Sequence, residues 1–148
     1  LELSRERLVP LDEEIETLEN YLSLQQMRFE QAFAYEITSP EEQDLSAIMV
    51  PPMLIQPFVE NAILHGIDIE SERGKISIIF DLKTDILDVE IRDSGKPINE
   101  NTKSDHRSLS GTISRERLHL LGKKAKLKSI TSAEGGTMVS LSIPIEGF

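Results

Sequence analysis

The chain contains no cysteine, which excludes disulfides, thiolate catalysis and cysteine-based zinc sites. No apolar run approaches the roughly 18–20 residues of a membrane span, and no secretory leader is visible. Basic residues are in the minority, 16 Lys and Arg against 26 Asp and Glu, for a formal net charge of −10. That balance speaks against a generic nucleic-acid-coating protein, because neutralising phosphates needs a net basic face. Aromatics are few, five Phe and two Tyr, yet 39% of the 148 residues are hydrophobic. This is enough for one domain with a core, or a short arm plus a domain, and it argues against wholesale disorder. The chain does not begin with Met, and an excised fragment is the expectation.

The charge is unevenly placed. Residues 1–44 carry 12 acids and 3 bases, whereas Lys96 to Lys128 carry 9 bases and 3 acids. A locally basic stretch inside an acidic chain is suited to a polyphosphate ligand.

Residues 11–33 read as one long helix. Pro10 precedes it, Asp12, Glu13 and Glu14 crowd its first turn, and Ile15, Leu18, Leu22 and Phe29 trace one face. Tyr21 and Leu24 would widen that face. A short strand is expected from Ala34 to Thr38. The run from Val50 to Ile67 predicts a helix starting near Pro52 and stopping at Gly66, with a kink or restart at Pro57. From Lys75 onward the period becomes two. Ile76, Ile78, Phe80 and Leu82, then Leu87, Val89 and Ile91, alternate with polar residues around Lys83-Thr84-Asp85, an antiparallel hairpin. Lys96 to Gly111 is long, polar and aperiodic, a functional lid or a disordered segment. A basic helix over Thr112–Leu121, a strand over Leu127–Ser132 and a last strand with Val139, Leu141 and Ile143 complete the chain. This order predicts an α+β fold, with helices on one face of a mixed, mostly antiparallel sheet.

Three places join polar groups to glycine in ways that a core does not need. Glu60-Asn61 is followed four residues later by His65, inside an otherwise apolar helix. Spacing of four stacks Asn61 and His65 on one face, an amide oxygen is a hard ligand suited to Mg²⁺, and a nearby carboxylate can orient or activate water. The ordinary alternative is that Asn61 caps a kink and His65 marks a helix end. Asp93-Ser94-Gly95 ends a strand, where a carboxylate is well placed to accept from a ligand amine, although the triplet also describes a common turn. Gly111 and Arg115-Glu116-Arg117-Leu118 offer backbone N–H groups and cations to phosphate, or simply form a solvated helix with Arg–Glu pairs.

Together, in their order and spacing, these elements resemble a family. Residues 52–66, from Pro52 through Gln56-Pro57-Phe58-Val59-Glu60-Asn61 to His65-Gly66, resemble the N box of sensor histidine kinases of the LytS type. Leu11 to Phe29 is similar to that family's linker helix. Asp93-Ser94-Gly95 falls at its first glycine box, Arg115 to Leu118 at the helix after the ATP lid, and Gly135-Gly136-Thr137 at its last glycine element. The resemblance implies a Bergerat-type two-layer α/β sandwich, the ATP-binding fold shared with gyrase, a heat-shock chaperone and a mismatch-repair protein. It divides the chain into residues 1–33, the end of a dimerisation segment and linker helix, and residues 34–148, the ATPase-like domain.

By this resemblance Asn61 coordinates Mg²⁺ and Glu60 positions a water or acts as base. Asp93 binds the adenine amine, while Gly95 lets backbone approach the base. His65, Gly111 and Arg115 lie near the phosphates, and Gly136 and Thr137 near the adenine. The implied function is a protein-histidine kinase catalytic domain that binds Mg-ATP and phosphorylates a histidine on an upstream segment. A response-regulator receiver domain and a homodimer of the parent are the implied partners, with no nucleic acid. The implied location is a cytoplasmic domain of a membrane-anchored parent. His65, His106 and His119 lack the phosphoacceptor context, so the fragment is not expected to autophosphorylate alone.

The sequence also departs from the family pattern. Pro97 replaces the second glycine of the Asp-x-Gly-x-Gly box, Ile113 stands where an Asn is usual, and Glu134 replaces a glycine. These departures motivate an alternative, a degenerate kinase-like module with weak or no nucleotide binding that signals through protein contacts. A self-contained ATP hydrolase is a third reading.

Overall fold

Leu11, Ile15, Leu18 and Leu22 fall at the spacing that puts side chains on one helical stripe, and all four are buried in a helix, α1, over Leu11–Arg28. The chain is described by a computed structural model over residues 7–30, 33–66, 74–94, 116–131 and 136–145. Pro10 caps α1 without a side-chain acceptor, and the Leu11 N–H, one of the helix's unpaired donors, goes to the Ile48 carbonyl at 2.7 Å. The helix ends earlier than expected from the sequence, at Arg28 rather than residue 33. Phe29 returns its N–H to Gln25, and Glu30 takes φ 55°, a left-handed turn made without the glycine that announces such a stop. Leu24, expected on the apolar stripe, is 62% exposed.

Two short strands, β1 (Val9–Pro10) and β3 (Met49–Val50), pair antiparallel beside the start of α1. A 3₁₀ turn at Leu45–Ala47 precedes β3, with the Asp44 carboxylate accepting from the Ser46 N–H. The main sheet contains β2 (Phe33–Thr38), β4 (Gly74–Leu82), β5 (Ile86–Asp93), β6 (Lys126–Thr131) and β7 (Thr137–Pro144), in the order β2-β4-β5-β7-β6. Only β2–β4 is parallel; the other pairings in this sheet are antiparallel. A parallel neighbour needs a crossover, and the segment between β2 and β4 supplies it with the second helix, α2 (Gln56–Gly66).

Alternation in the hairpin survives intact. Ile76, Ile78 and Phe80 of β4 and Leu87, Val89 and Ile91 of β5 all point into the core, joined by Leu141 and Ile143 of β7. From α2 and the turn before it, Leu54, Ile55, Phe58, Val59, Ala62 and Ile63 cover that face, and α2 packs chiefly over β5 and β7. Leu11, Ile15, Leu18 and Leu22 of α1 belong to the same buried cluster. The result is the mixed two-layer α+β architecture expected from the sequence. Among the described residues no helix is long and apolar enough to cross a membrane.

One expectation fails instructively. The helix does not start near Pro52, and Pro57 is no interior kink: α2 begins at Gln56 and Pro57 is its second residue. The N–H that proline lacks would have no intrahelical partner in that first turn, so the ring is accommodated without cost. Of the basic helix expected over Thr112–Leu121, residues 116–119 are helical, and Thr112 to Arg115 lie outside the described residues.

Candidate functional site

Asp93 is the last residue of β5 and sits opposite Thr137, the first of β7. Its Oδ1 accepts the Thr137 backbone N–H at 3.2 Å. Ser94 continues the ladder by one step, donating its N–H to the Lys75 carbonyl and accepting the Lys75 N–H on Oγ, both at 3.0 Å. The strand end is therefore held from two neighbouring strands, and the carboxylate itself from β7. That carboxylate is half-buried, and desolvation pushes its pKa up to about 7, against the opposing effect of the Thr137 N–H.

Gly136 lets the backbone pass close to the end of β5. Its φ is +91°, and a Cβ there would lie 3.1 Å from the Asp93 carbonyl oxygen and 3.5 Å from that of Ser94. Any side chain would be strained by the backbone and crowded against the strand end. The corner thus offers a carboxylate acceptor in a partly dry setting, suited to a ligand with an exocyclic amine.

Across the core face, α2 carries Glu60 and Asn61, both half-buried. Glu60 Oε1 accepts from the Gln56 amide at 3.3 Å one turn earlier. Burial holds the Tyr21 phenol of α1 up at about 12, and the Glu60 charge adds to that effect. Asn61 is the next residue, and its amide oxygen is the hard ligand of the pair. His65 follows in the same helix one turn later, with its side chain outside the described residues. Gly95, Gly111 and Arg115 also lie outside them. The candidate residues that are described are Glu60 and Asn61 on α2 and Asp93, Gly136 and Thr137 at the β5–β7 corner, and α2 packs over β5 and β7.

Sequence reasoning missed one buried polar group beside this site. Glu14 belongs to the acidic first turn of α1, yet it is only 4% exposed, and Oε2 accepts the Met53 N–H at 2.9 Å. The signal was available: Glu14 is three residues from Leu11 and four from Leu18, so it lies on the apolar stripe, unlike Asp12 and Glu13.

The fold that carries this strand-end carboxylate and the Asn on the covering helix is shared with solved catalytic domains of histidine kinases. The architecture matches that of the catalytic domain of histidine kinase ThkA with a TM-score of 0.65 at 19% identity, over 93% of this chain and 95% of that one. It also matches ThkA in a complex with response regulator protein TrrA, with a TM-score of 0.63 at 21% identity, over 97% of this chain and 44% of that one. A family model described as histidine kinase matches residues 1–33. In sequence the chain is similar to the sensor protein LytS of Enterococcus faecalis, 31% identical over 93% of this chain and 25% of that protein. The resemblance to LytS-type sensor kinases seen in the motifs thus extends over most of the chain, and the chain spans about a quarter of the length of the curated relatives it matches.

Proposed function

We propose that this chain is the ATP-binding catalytic domain of a LytS-type sensor histidine kinase, which binds Mg-ATP and passes the γ-phosphate to a histidine on an upstream segment. The observation that carries this reading is the Asp93 corner. A carboxylate accepts from the Thr137 N–H at 3.2 Å, at a strand end where Gly136 lets the two backbones approach closely. Ionised, Asp93 is an acceptor-only group and suits the adenine amine. Asn61 would hold Mg²⁺ through its amide oxygen, and the ion when bound would neutralise phosphate charge. Glu60, one residue away and steadied by Gln56, would orient the entering group or accept its proton. Transfer of a phosphoryl group depends mainly on positioning and charge stabilisation, which a rigid helix over a sheet can provide.

In the same reading, α1 is the linker helix that follows a dimerisation segment, and residues 34–148 form the ATPase-like domain. His65, Gly95, Gly111 and Arg115 complete the phosphate and base contacts. A receiver domain takes the phosphate onward, as the pairing of ThkA with TrrA supports. The domain works on the cytoplasmic side of a membrane-anchored, dimeric parent.

The test is a melt of the 148-residue chain with and without millimolar Mg-ATP. A stabilised protein is expected, since a ligand at 100 times its Kd adds about 2.7 kcal/mol. Asn61→Asp should remove the Mg²⁺-dependent part of the shift and Asp93→Asn the whole of it. Pro97 in place of a glycine favours a second reading, a degenerate module that signals through protein contacts. No shift in the wild type at millimolar nucleotide would establish that reading over the first.

A further inference from the structure

The turn that leads into α2 is held at one peptide unit. The Pro52 carbonyl accepts from the Arg117 guanidinium at 3.1 Å, and the Met53 N–H donates to Glu14 Oε2 at 2.9 Å. Carbonyl and N–H of a trans peptide point in opposite directions, so the two side chains grip the same plane from opposite sides. Met53 itself has φ 60°, a left-handed conformation costly for a residue with a Cβ, and it keeps that conformation only because its surroundings enforce it. The two gripping residues come from distant parts of the chain. Glu14 is in the first turn of α1, and Arg117 is in the helical residues 116–119, whose Leu118 is buried in the common core.

We propose that Glu14 is a positioning residue for the nucleotide site: with Arg117 it clamps the Pro52–Met53 peptide and so sets where α2 places Glu60 and Asn61. The inference rests on the Mg-ATP reading above. Three observations carry it. Glu14 is almost fully buried where α1 meets the turn before α2, and a buried carboxylate is retained only with donors in place. The clamped peptide lies three residues before α2, and the intervening Leu54 and Ile55 are both 1% exposed, so the turn is rigid between clamp and helix. Two turns after Glu14 on the same face of α1, the Tyr21 phenol is held up chiefly by its burial and further by the Glu60 charge, so the same helix also feels the carboxylate of α2. A shift of α1, or of the segment carrying Arg117, would then move the peptide, the turn and the site together.

The experiment measures Mg-ATP affinity of the 148-residue chain, at a temperature where each protein is fully folded by circular dichroism. The set is wild type, Glu14→Ala, Glu14→Gln and Arg117→Ala, and amide exchange of Met53 is followed in each. Glutamine keeps an acceptor for the Met53 N–H, so Glu14→Gln should bind within a few-fold of wild type. Glu14→Ala should bind about tenfold more weakly, an ordinary size for coupling between sites. Its Met53 amide should exchange about tenfold faster. A purely structural role would lower the melting temperature and leave the affinity of the folded protein unchanged, and that result overturns the proposal. If Glu14→Ala does not fold, Arg117→Ala decides: about tenfold weaker binding is expected, and unchanged affinity refutes the clamp. A wild type that binds no nucleotide overturns the functional reading instead. Met53 exchange then judges the clamp alone, and equal rates in wild type and variants reject it.

Discussion

Replacing Asp93 by Asn removes a charge while keeping an oxygen for the Thr137 N–H, so it isolates what burial of that charge costs the free protein. In the folded chain desolvation raises the Asp93 pKa to about 7 from the ordinary 3.8. Between those two values the folded state retains a proton that the unfolded state has released. Stability therefore falls as pH rises through this window and stays at its lower level above it. At about 1.4 kcal/mol per pH unit the full effect is bounded near ~4 kcal/mol. Asp93 is only half-buried, and solvent screening reduces the expected loss to about 1–2 kcal/mol. At roughly 3–4 °C per kcal/mol for a domain of this size, Asp93→Asn should melt about 3–8 °C above wild type at pH 8. The two should coincide near pH 4. Thermal and urea melts at both pH values check this, and the difference between the two proteins cancels other titrating groups, including the buried Glu14. With Mg-ATP the order should invert at pH 8, because the wild type gains a ligand that the variant cannot hold. Wild-type affinity should also strengthen as pH rises through about 7 while the variant's does not. A variant no more stable than wild type at pH 8, or a pH-independent difference, would refute the argument that Asp93 is held ionised against its surroundings.

Other predictions follow from single contacts. Gly136→Ala puts a Cβ 3.1 Å from the Asp93 carbonyl oxygen at φ +91°, and should cost about 1–3 kcal/mol in urea melts and weaken Mg-ATP binding with it. Glu30→Gly relieves the left-handed stop after α1 at φ 55° and should raise stability by about 0.5–1 kcal/mol, leaving nucleotide affinity unchanged.

Much of the fold was legible because the pattern and the burial coincide. Ile76, Ile78 and Phe80 alternate with Lys75, Ser77 and Asp81, and one face of a sheet is the simplest way to bury such a series. The misplaced helix start has an equally specific origin. Pro52 and Pro57 are both tolerated in a first turn, so local chemistry allows either start. Burial of Leu54 and Ile55, with the clamped peptide before them, selects the later one. The end of α1 was illegible for a related reason. Glu30 adopts a glycine-like φ, and nothing in a glutamate announces it.

The candidate site divides in the same way. Glu60, Asn61 and Asp93 stood out because carboxylates and an amide beside apolar runs or at a strand end are not what a core requires. Sequence order alone could not bring Asp93 and Gly136 together, since they are 43 positions apart. The antiparallel register of β5 on β7 does so by setting Asp93 opposite Thr137.

By itself, then, the sequence determined the layers: which stretches form strands, which face of each is apolar, and which polar residues are surplus to packing. These follow from side-chain periodicity, which is a local property. Only the tertiary structure decided which of the surplus groups are buried and what partners they meet. Helical spacing sets Glu14 on the apolar stripe apart from Asp12 and Glu13, but only the packed structure buries it and bonds it to the peptide that leads into α2. Desolvation and long-range hydrogen bonding depend on what packs against a residue, and that is not written in its neighbours.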